Sequence, residues 1–197
     1  MKPYTADRCK TPGTYWIFDY SIGYLGGWGA HPLDIMVWGS DADLSGPVVL
    51  EGTGVIPKEG LYDTVYNWDI KGTLGKVEFT FLPGGDSTRF IGTEGWVQVR
   101  RGGTEAEPKS LLTVKLGQND VQLTMSPRQD QNFIDAVKSR QQPVSHLVDA
   151  VRSDLISQLS DIAVRTGRRI TWDPKTEQIV GDADAAVLRD EHVGRLE

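Results

Sequence analysis

The sequence is poor in the residues that most often advertise chemistry. Its single cysteine, Cys9, excludes an internal disulfide and fits a reducing compartment. Three histidines, His31, His146 and His192, lie too far apart to form a zinc-ligand pattern. No apolar run approaches the ~20 residues that span a bilayer, and the opening MKPYTADRCK lacks the apolar core of a signal peptide. P-loop, G-x-S-x-G elbow, internal repeat and low-complexity tract are all missing. Basic residues are in deficit, 21 Lys and Arg against 27 Asp and Glu, with Arg100-Arg101 and Arg165 to Arg169 as the only clusters. That balance argues against nucleic acid, whose phosphates need clustered cations. A cytoplasmic, acidic protein is the expectation.

What is present suffices for one folded domain. With 39% hydrophobic and 24% charged residues over 197 positions, residues 1–197 form a single unit with a core of its own. The hydrophobic period divides it in three. Near the start, WIFDY reads as a strand, and a short helix follows with Pro32 at its first position and Leu33, Met36 and Val37 on one buried face. Gly39 is expected to end that helix in the left-handed conformation, which places His31 at or beside the N-cap. From Gly46 to about Ser126 the period is two, with strands expected in PVVLEGTGVIP, VYNWDIKGTL, KVEFTFLP, STRFIGT, WVQVRR and SLLTVKL. Hairpin connections are expected at Gly72 to Gly75, Pro83 to Asp86 and Glu94-Gly95.

After Pro127 the period returns to 3.6. A short helix over Asn132 to Arg140 should turn Phe133, Ile134 and Val137 inward. A long one from Leu147 to Thr166 should bury Leu147, Val148, Val151, Leu155, Leu159 and Ile162 and close at Gly167. A short strand or turn and a last helix complete an α+β fold, an open-faced, largely antiparallel sheet with helices packed on one face. Tyr66, Trp68, Phe79, Phe81, Phe90 and Trp96 exceed what one covered face needs. The sheet is therefore expected to pair two copies into a homodimer or a dimer of dimers.

One pattern resembles a dinucleotide fingerprint without meeting it. Gly52-Thr53-Gly54 follows an apolar strand, but Pro57 occupies the third glycine position and no amphipathic helix follows to meet a pyrophosphate. Glycines in or near a β-bulge are the expected reading, and no NAD or NADP binding is expected from these residues.

The richest stretch is Tyr15 to Gly39, YWIFDYSIGYLGGWGAHPLDIMVWG. Gly23, Gly26, Gly27 and Gly29 bracket His31, and Asp34 follows three residues on, near the same side of the helix start. The positive end of a helix favours a neutral, proton-accepting imidazole over its cation. Asp34 reads equally as a helix-start cap and as a substrate contact. Trp16, Asp19, Tyr20, Tyr24 and Trp28 supply the aromatic faces and carboxylates that sugar rings use, with core packing as the alternative for the two tryptophans.

This stretch resembles the active-site segment of the Gfo/Idh/MocA sugar oxidoreductases, where an aromatic strand and a glycine run lead into a G-x-H-x-x-D helix. STRFIGTEGWVQV resembles the family's sheet segment, and RFIGTEGW is typical of one bacterial subgroup. NFIDAVKSRQQPV, the long helix and TGRRITWDPKTEQIVGD resemble its closing segment. The resemblance implies that His31 lines a sugar site and helps move the hydroxyl proton as hydride leaves the same carbon. It implies that Arg152, in Val151-Arg152-Ser153 where the family has His-Arg-Ser, also faces substrate.

Three departures stand out. Gly27 holds a position where the family commonly has Asp, Val151 and Gln158 replace histidines, and the family's catalytic Lys, from a Glu-Lys-Pro motif in its nucleotide-binding domain, has no counterpart. The resemblance therefore implies a C-terminal substrate and oligomerisation domain that needs a separate Rossmann-type partner for hydride transfer. Two other classes stay open: a cofactor-independent lyase, isomerase or hydrolase using His31 with Asp34 or Asp19 as acid and base, and a non-catalytic scaffold held by its sheet.

Overall fold

The computed structural model of the chain describes residues 4–10, 13–40 and 45–193, with side chains as far as Leu188. Among the described residues, eight strands form two antiparallel sheets rather than one. The larger has the order β3-β2-β1-β7-β8, from β1 (Val48–Val55), β2 (Asn67–Leu74), β3 (Val77–Phe81), β7 (Ile170–Asp173) and β8 (Gln178–Ile179). The smaller has the order β4-β5-β6, from β4 (Ser87–Gly92), β5 (Gly95–Arg100) and β6 (Gly103–Glu107). The helices are α1 (Tyr24–Gly27), α2 (Ala30–Gly39), α3 (Gln129–Ser139), α4 (Leu147–Thr166) and α5 (Ala183–Val193). The mixture of helices with antiparallel strands is the expected α+β class.

The core lies between one face of the larger sheet and the helices α2 and α4. Leu50, Ile70, Leu74 and Ile170 from the strands meet Leu33, Val37, Ile156, Leu159 and Ile162 from the helices. Such side chains contribute about 1.5–3 kcal/mol each when fully buried. Helix α4 ends as expected, with Gly167 at φ 65° and its N–H donating to the Ala163 carbonyl at 2.8 Å.

Several expectations are corrected. SLLTVKL is no strand: Pro108 cannot extend the ladder of β6, and a 3-10 helix over Lys109–Thr113 follows. The last strand of the smaller sheet is Gly103–Glu107, paired to β5 from Trp96↔Glu107 to Arg100↔Gly103; it is polar enough to hide its period. WIFDY is not a strand: Trp16 ends a 3-10 helix over Gly13–Trp16, and Phe18 to Tyr20 form a turn. Pro83 to Asp86 joins two sheets rather than a hairpin, and the tight turns fall at Gly75-Lys76 and Thr93-Glu94. Gly52 and Gly54 sit in unbroken register with Ile70 and Trp68, so no bulge is present.

Burial departs from the sequence pattern where elements lie off the body. Phe133, Ile134 and Val137 of α3 are exposed, Phe133 by 61%. At the start of α4, Leu147, Val148 and Val151 are exposed as well, Leu147 by 76%. Leu155 is half-buried, and the buried line instead runs through Ser153, Ile156, Ser157, Leu159, Ser160, Ile162 and Ala163. Its small residues let α2 and α1 approach closely. The larger sheet's outer face is polar, with Glu51, Thr53, Asp69, Lys71, Glu78 and Thr80 exposed. Trp68, Phe79 and Phe81, three of the side chains expected to crowd that face, are buried on the helix side with Leu50, Ile70 and Leu74. Gly39 does not take the left-handed conformation, since Ser40 ends the helix at φ −92°. A Cβ on Gly39 would stand 2.7 Å from the Phe90 ring, so the glycine serves the contact between α2 and β4. Among the described residues no helix is long and apolar enough to cross a membrane.

Candidate functional site

Helix α2 begins two residues earlier than Pro32 suggests. The run from Tyr24 is nearly continuous helix: Gly29 has right-handed backbone, and the amides of Leu33 and His31 donate to the carbonyls of Gly29 and Trp28 at 3.1 Å each. His31 is therefore the second residue of α2 and exposed, while Asp34, a turn further in, is half-buried. Asp34 is too deep in the helix to cap it, which removes that reading.

Three elements converge on this end of α2. The first is an aromatic ladder leading to the imidazole. Trp16 lies 5.0 Å from Tyr24, Tyr24 lies 6.3 Å from Trp28, and the Trp28 ring stands edge-on to His31 at 5.4 Å. Tyr24 and Trp28 are each about two-fifths exposed, so the ladder offers open ring surface and is not core packing alone. Tyr15 closes its inner side, 5.1 Å from Trp16 and 5.9 Å from Tyr24. Burial, and then the neighbouring Tyr24 phenol, push the Tyr15 hydroxyl up against the opposing pull of the Trp28 backbone amide. It is a proton-bearing group at neutral pH.

The second element is the first half of α4. Burial, followed by the charge of Asp149, raises the Asp34 carboxyl above its ordinary value, while His31 and the Ser153 hydroxyl act in the opposite sense. Ser153 is buried and its hydroxyl donates to the Ala150 carbonyl at 2.9 Å. Asp149 in turn lies 3.8 Å from His146 Nδ1 and 3.5 Å from Arg152 Nη1. His31, Asp34, Asp149, Ser153, Arg152 and His146 therefore make one polar cluster between two helices. Asp149 escapes sequence reading because it belongs to no motif, and Ser153 is noted there only as the end of the Val151-Arg152-Ser153 segment.

The third element is the turn between β5 and β6. The Thr88 hydroxyl donates to the Pro32 carbonyl at 2.7 Å and pins β4 to the first turn of α2. The pairing Ser87↔Arg100 then carries the hairpin tip to the same end. Arg101 there lies over the Trp28 ring at 5.1 Å and pairs through Nε with Asp86. Sequence reading noticed Arg101 only as half of a short basic pair.

Asp19 and Tyr20 form a separate group. Arg8, itself buried, donates to Asp19 at 2.6 Å and to the Tyr20 hydroxyl at 3.3 Å, and lies 5.3 Å from the Tyr20 ring. The segment bearing them is anchored to α4 by Arg165, which stacks 3.4 Å from the Phe18 ring centroid. A cavity of about 970 Å³ opens elsewhere, lined by residues of β3 and β4 together with Pro32, Leu33 and Met36. It approaches α2 one residue beyond His31 without taking in the imidazole.

The described residues offer no group of three or more His, Cys, Asp or Glu that could hold a metal ion; the side chain of His192 lies outside them. Gly52 and Gly54 do not form a phosphate-binding turn. Gly52 and Gly54 are locked in the ladder to β2, a Cβ on Gly54 would stand 2.8 Å from Val164 of α4, and no helix start follows β1.

No match to a curated protein is found. The match to a family model spans residues 112–195, less than half of the chain, and takes in α3, α4 and the Asp149, Arg152 and Ser153 wall of the site, but not His31. Over those residues the chain is similar to the C-terminal alpha/beta domain of the oxidoreductase family, that of the Gfo/Idh/MocA proteins.

Proposed function

We propose that the chain binds a polyhydroxylated, sugar-like small molecule at the His31 end of α2. The observation that carries this reading is the meeting of a half-exposed Tyr24–Trp28 ladder with His31 and the half-buried Asp34. Ring faces stack on the C–H patches of a sugar, and the imidazole and carboxyl groups meet its hydroxyls. Trp16 supports the ladder, and Arg152 and Asp149 line the α4 side, while Asp19 and Tyr20 stay in their own group with Arg8.

In this reading His31 accepts or returns a hydroxyl proton and Asp34, with its raised carboxyl, supplies one. Hydride transfer would belong to a nicotinamide cofactor, and we propose that it requires a Rossmann-type domain. The polar cluster alone suffices for the proton steps of a lyase or isomerase. Screening sugars and sugar acids without nucleotide, and again with a Rossmann-fold partner and NAD(P), separates the two. In both arms His31→Ala is expected to abolish turnover, and an unchanged rate overturns the assignment of His31.

A second reading, self-association, is favoured by the exposed apolar residues Phe133, Ile134 and Val137 of α3 with Leu147, Val148 and Val151 of α4. Pairing through the open sheet face would bury Glu51, Asp69, Lys71 and Glu78, so we propose that two copies meet through these helices. Light scattering at micromolar concentration is expected to give twice the 21.8 kDa chain mass, and Phe133→Glu to return it to one. A single-chain mass for the parent overturns it.

A further inference from the structure

We propose that the ligand of the His31 site carries an anionic group, a carboxylate or a phosphate monoester, and that Arg101 receives it. The inference rests on the reading of that site as a polyol pocket and adds the chemical class of its occupant.

The geometry singles out Arg101 among the nearby cations. Arg8 is committed to Asp19 and Tyr20, Arg152 faces Asp149, and Arg165 is committed to Asp161 and the Asp63 carbonyl. Arg101 is held from two sides: its Nε pairs with Asp86, and its guanidinium lies over the Trp28 indole. Neither contact uses the two Nη nitrogens, and these meet no acceptor among the described residues. A guanidinium fixed at Nε and stacked on a ring has already lost much of its rotamer freedom. Its Nη edge is the fork that matches the two oxygens of a carboxylate or phosphate. Stacking on an indole adds a cation–π contribution that such a partly exposed site retains.

The placement is built by the fold. Arg101 is far from His31 in sequence, yet both rings or planes lie within 5.4 Å of the same indole. The Thr88–Pro32 hydrogen bond holds the hairpin at that end of α2. Asp86 offsets part of the guanidinium's charge, so directional hydrogen bonds rather than bulk attraction decide recognition. A neutral sugar would stack on Trp28 and use His31, but would leave the Arg101 fork unanswered.

The test is a calorimetric titration of the full chain with glucose, glucuronate, the methyl ester of glucuronate and glucose 6-phosphate. Glucuronate or glucose 6-phosphate is expected to bind about tenfold or more tighter than glucose or the ester, and which of the two gains identifies carboxylate or phosphate. Arg101→Gln should remove that gain, weakening the anionic sugar far more than glucose. Arg101→Lys, which keeps the charge without the fork, should recover only part of it. Because Arg101 is exposed, both variants are expected to fold, and denaturant melts check this. Equal binding of acid and neutral sugars, or equal loss for all of them on Arg101→Gln, overturns the inference while the polyol reading stands. Absence of binding by every probe overturns both.

Discussion

Tyr15 fills the space that a side chain on Gly27 would occupy: a Cβ there would stand 2.5 and 2.6 Å from the tyrosine ring carbons Cε2 and Cζ, with the hydroxyl nearer still. The position that commonly carries an aspartate in proteins resembling this one thus faces a phenol hydroxyl delivered from another segment. Its raised, protonated state suits a hydrogen-bond donor at the edge of the aromatic ladder.

Gly27→Ala should therefore displace Tyr15 and cost about 1–3 kcal/mol through overpacking. Tyr15→Ala should relieve that cost, so a double-mutant cycle by denaturant melts should show favourable coupling between the two changes. Additive losses would mean that the two sites do not compete for space.

Asp34 makes stability depend on pH with a definite sign. Its folded-state carboxyl is raised above the ordinary 3.8, so the folded chain holds this proton more tightly than the unfolded chain. The associated cost is absent below the ordinary value, grows as pH rises through the raised one and is complete above it. Asp34→Asn cannot ionise. Its stability relative to the parent should thus be more favourable near pH 7 than near about pH 4. A difference that is constant with pH, or larger in acid, would contradict the raised carboxyl.

The anchor of the aromatic segment lies on α4. Asp161 is fully buried and accepts from Arg165 at 2.7 Å, while Arg165 also donates to the Asp63 carbonyl at 3.1 Å. The Phe18 amide donates to the Asp63 carboxylate at 2.7 Å, so one arginine ties α4 to the loop before α1. Arg165→Ala leaves a buried carboxylate without its guanidinium and should cost about 3–5 kcal/mol. A loss below about 1 kcal/mol in denaturant melts would place the anchor elsewhere.

How much of this was legible in sequence depended on whether a residue's role was local. Helix α4 was readable to the residue at both ends, because Leu147 to Thr166 keeps one period and Gly167 supplies the left-handed stop. Its buried face was readable only for the last three turns, where Leu159 and Ile162 meet the sheet. Leu147 and Val151 carry the same pattern, but among the described residues both are exposed. The same holds for Phe133 and Val137 on α3: periodicity reports that a face is apolar, not that something covers it. β6 was missed because Thr104, Glu105 and Glu107 are held by pairing to β5 rather than by an apolar alternation.

At the site, His31, Asp34 and Trp28 were legible because they are neighbours in the chain. Asp149, Ser153 and Arg101 were not, since only the packing of α4 and the hairpin turn against α2 brings them there. Gly39 was misread for a related reason: its role is set by Phe90, a distant contact that no local turn pattern reveals.

The central claim, that small-molecule recognition occurs at the His31 end of α2, is tested most directly by titrating the isotope-labelled chain with glucose and glucuronate while following its backbone amide and indole N–H resonances. The account predicts saturable shifts that cluster on Trp28, His31, Arg101, Asp149 and Ser153 and vanish in His31→Ala. Shifts confined to the β3–β4 cleft around Phe79 and Phe90, or no shifts at millimolar sugar, would contradict it.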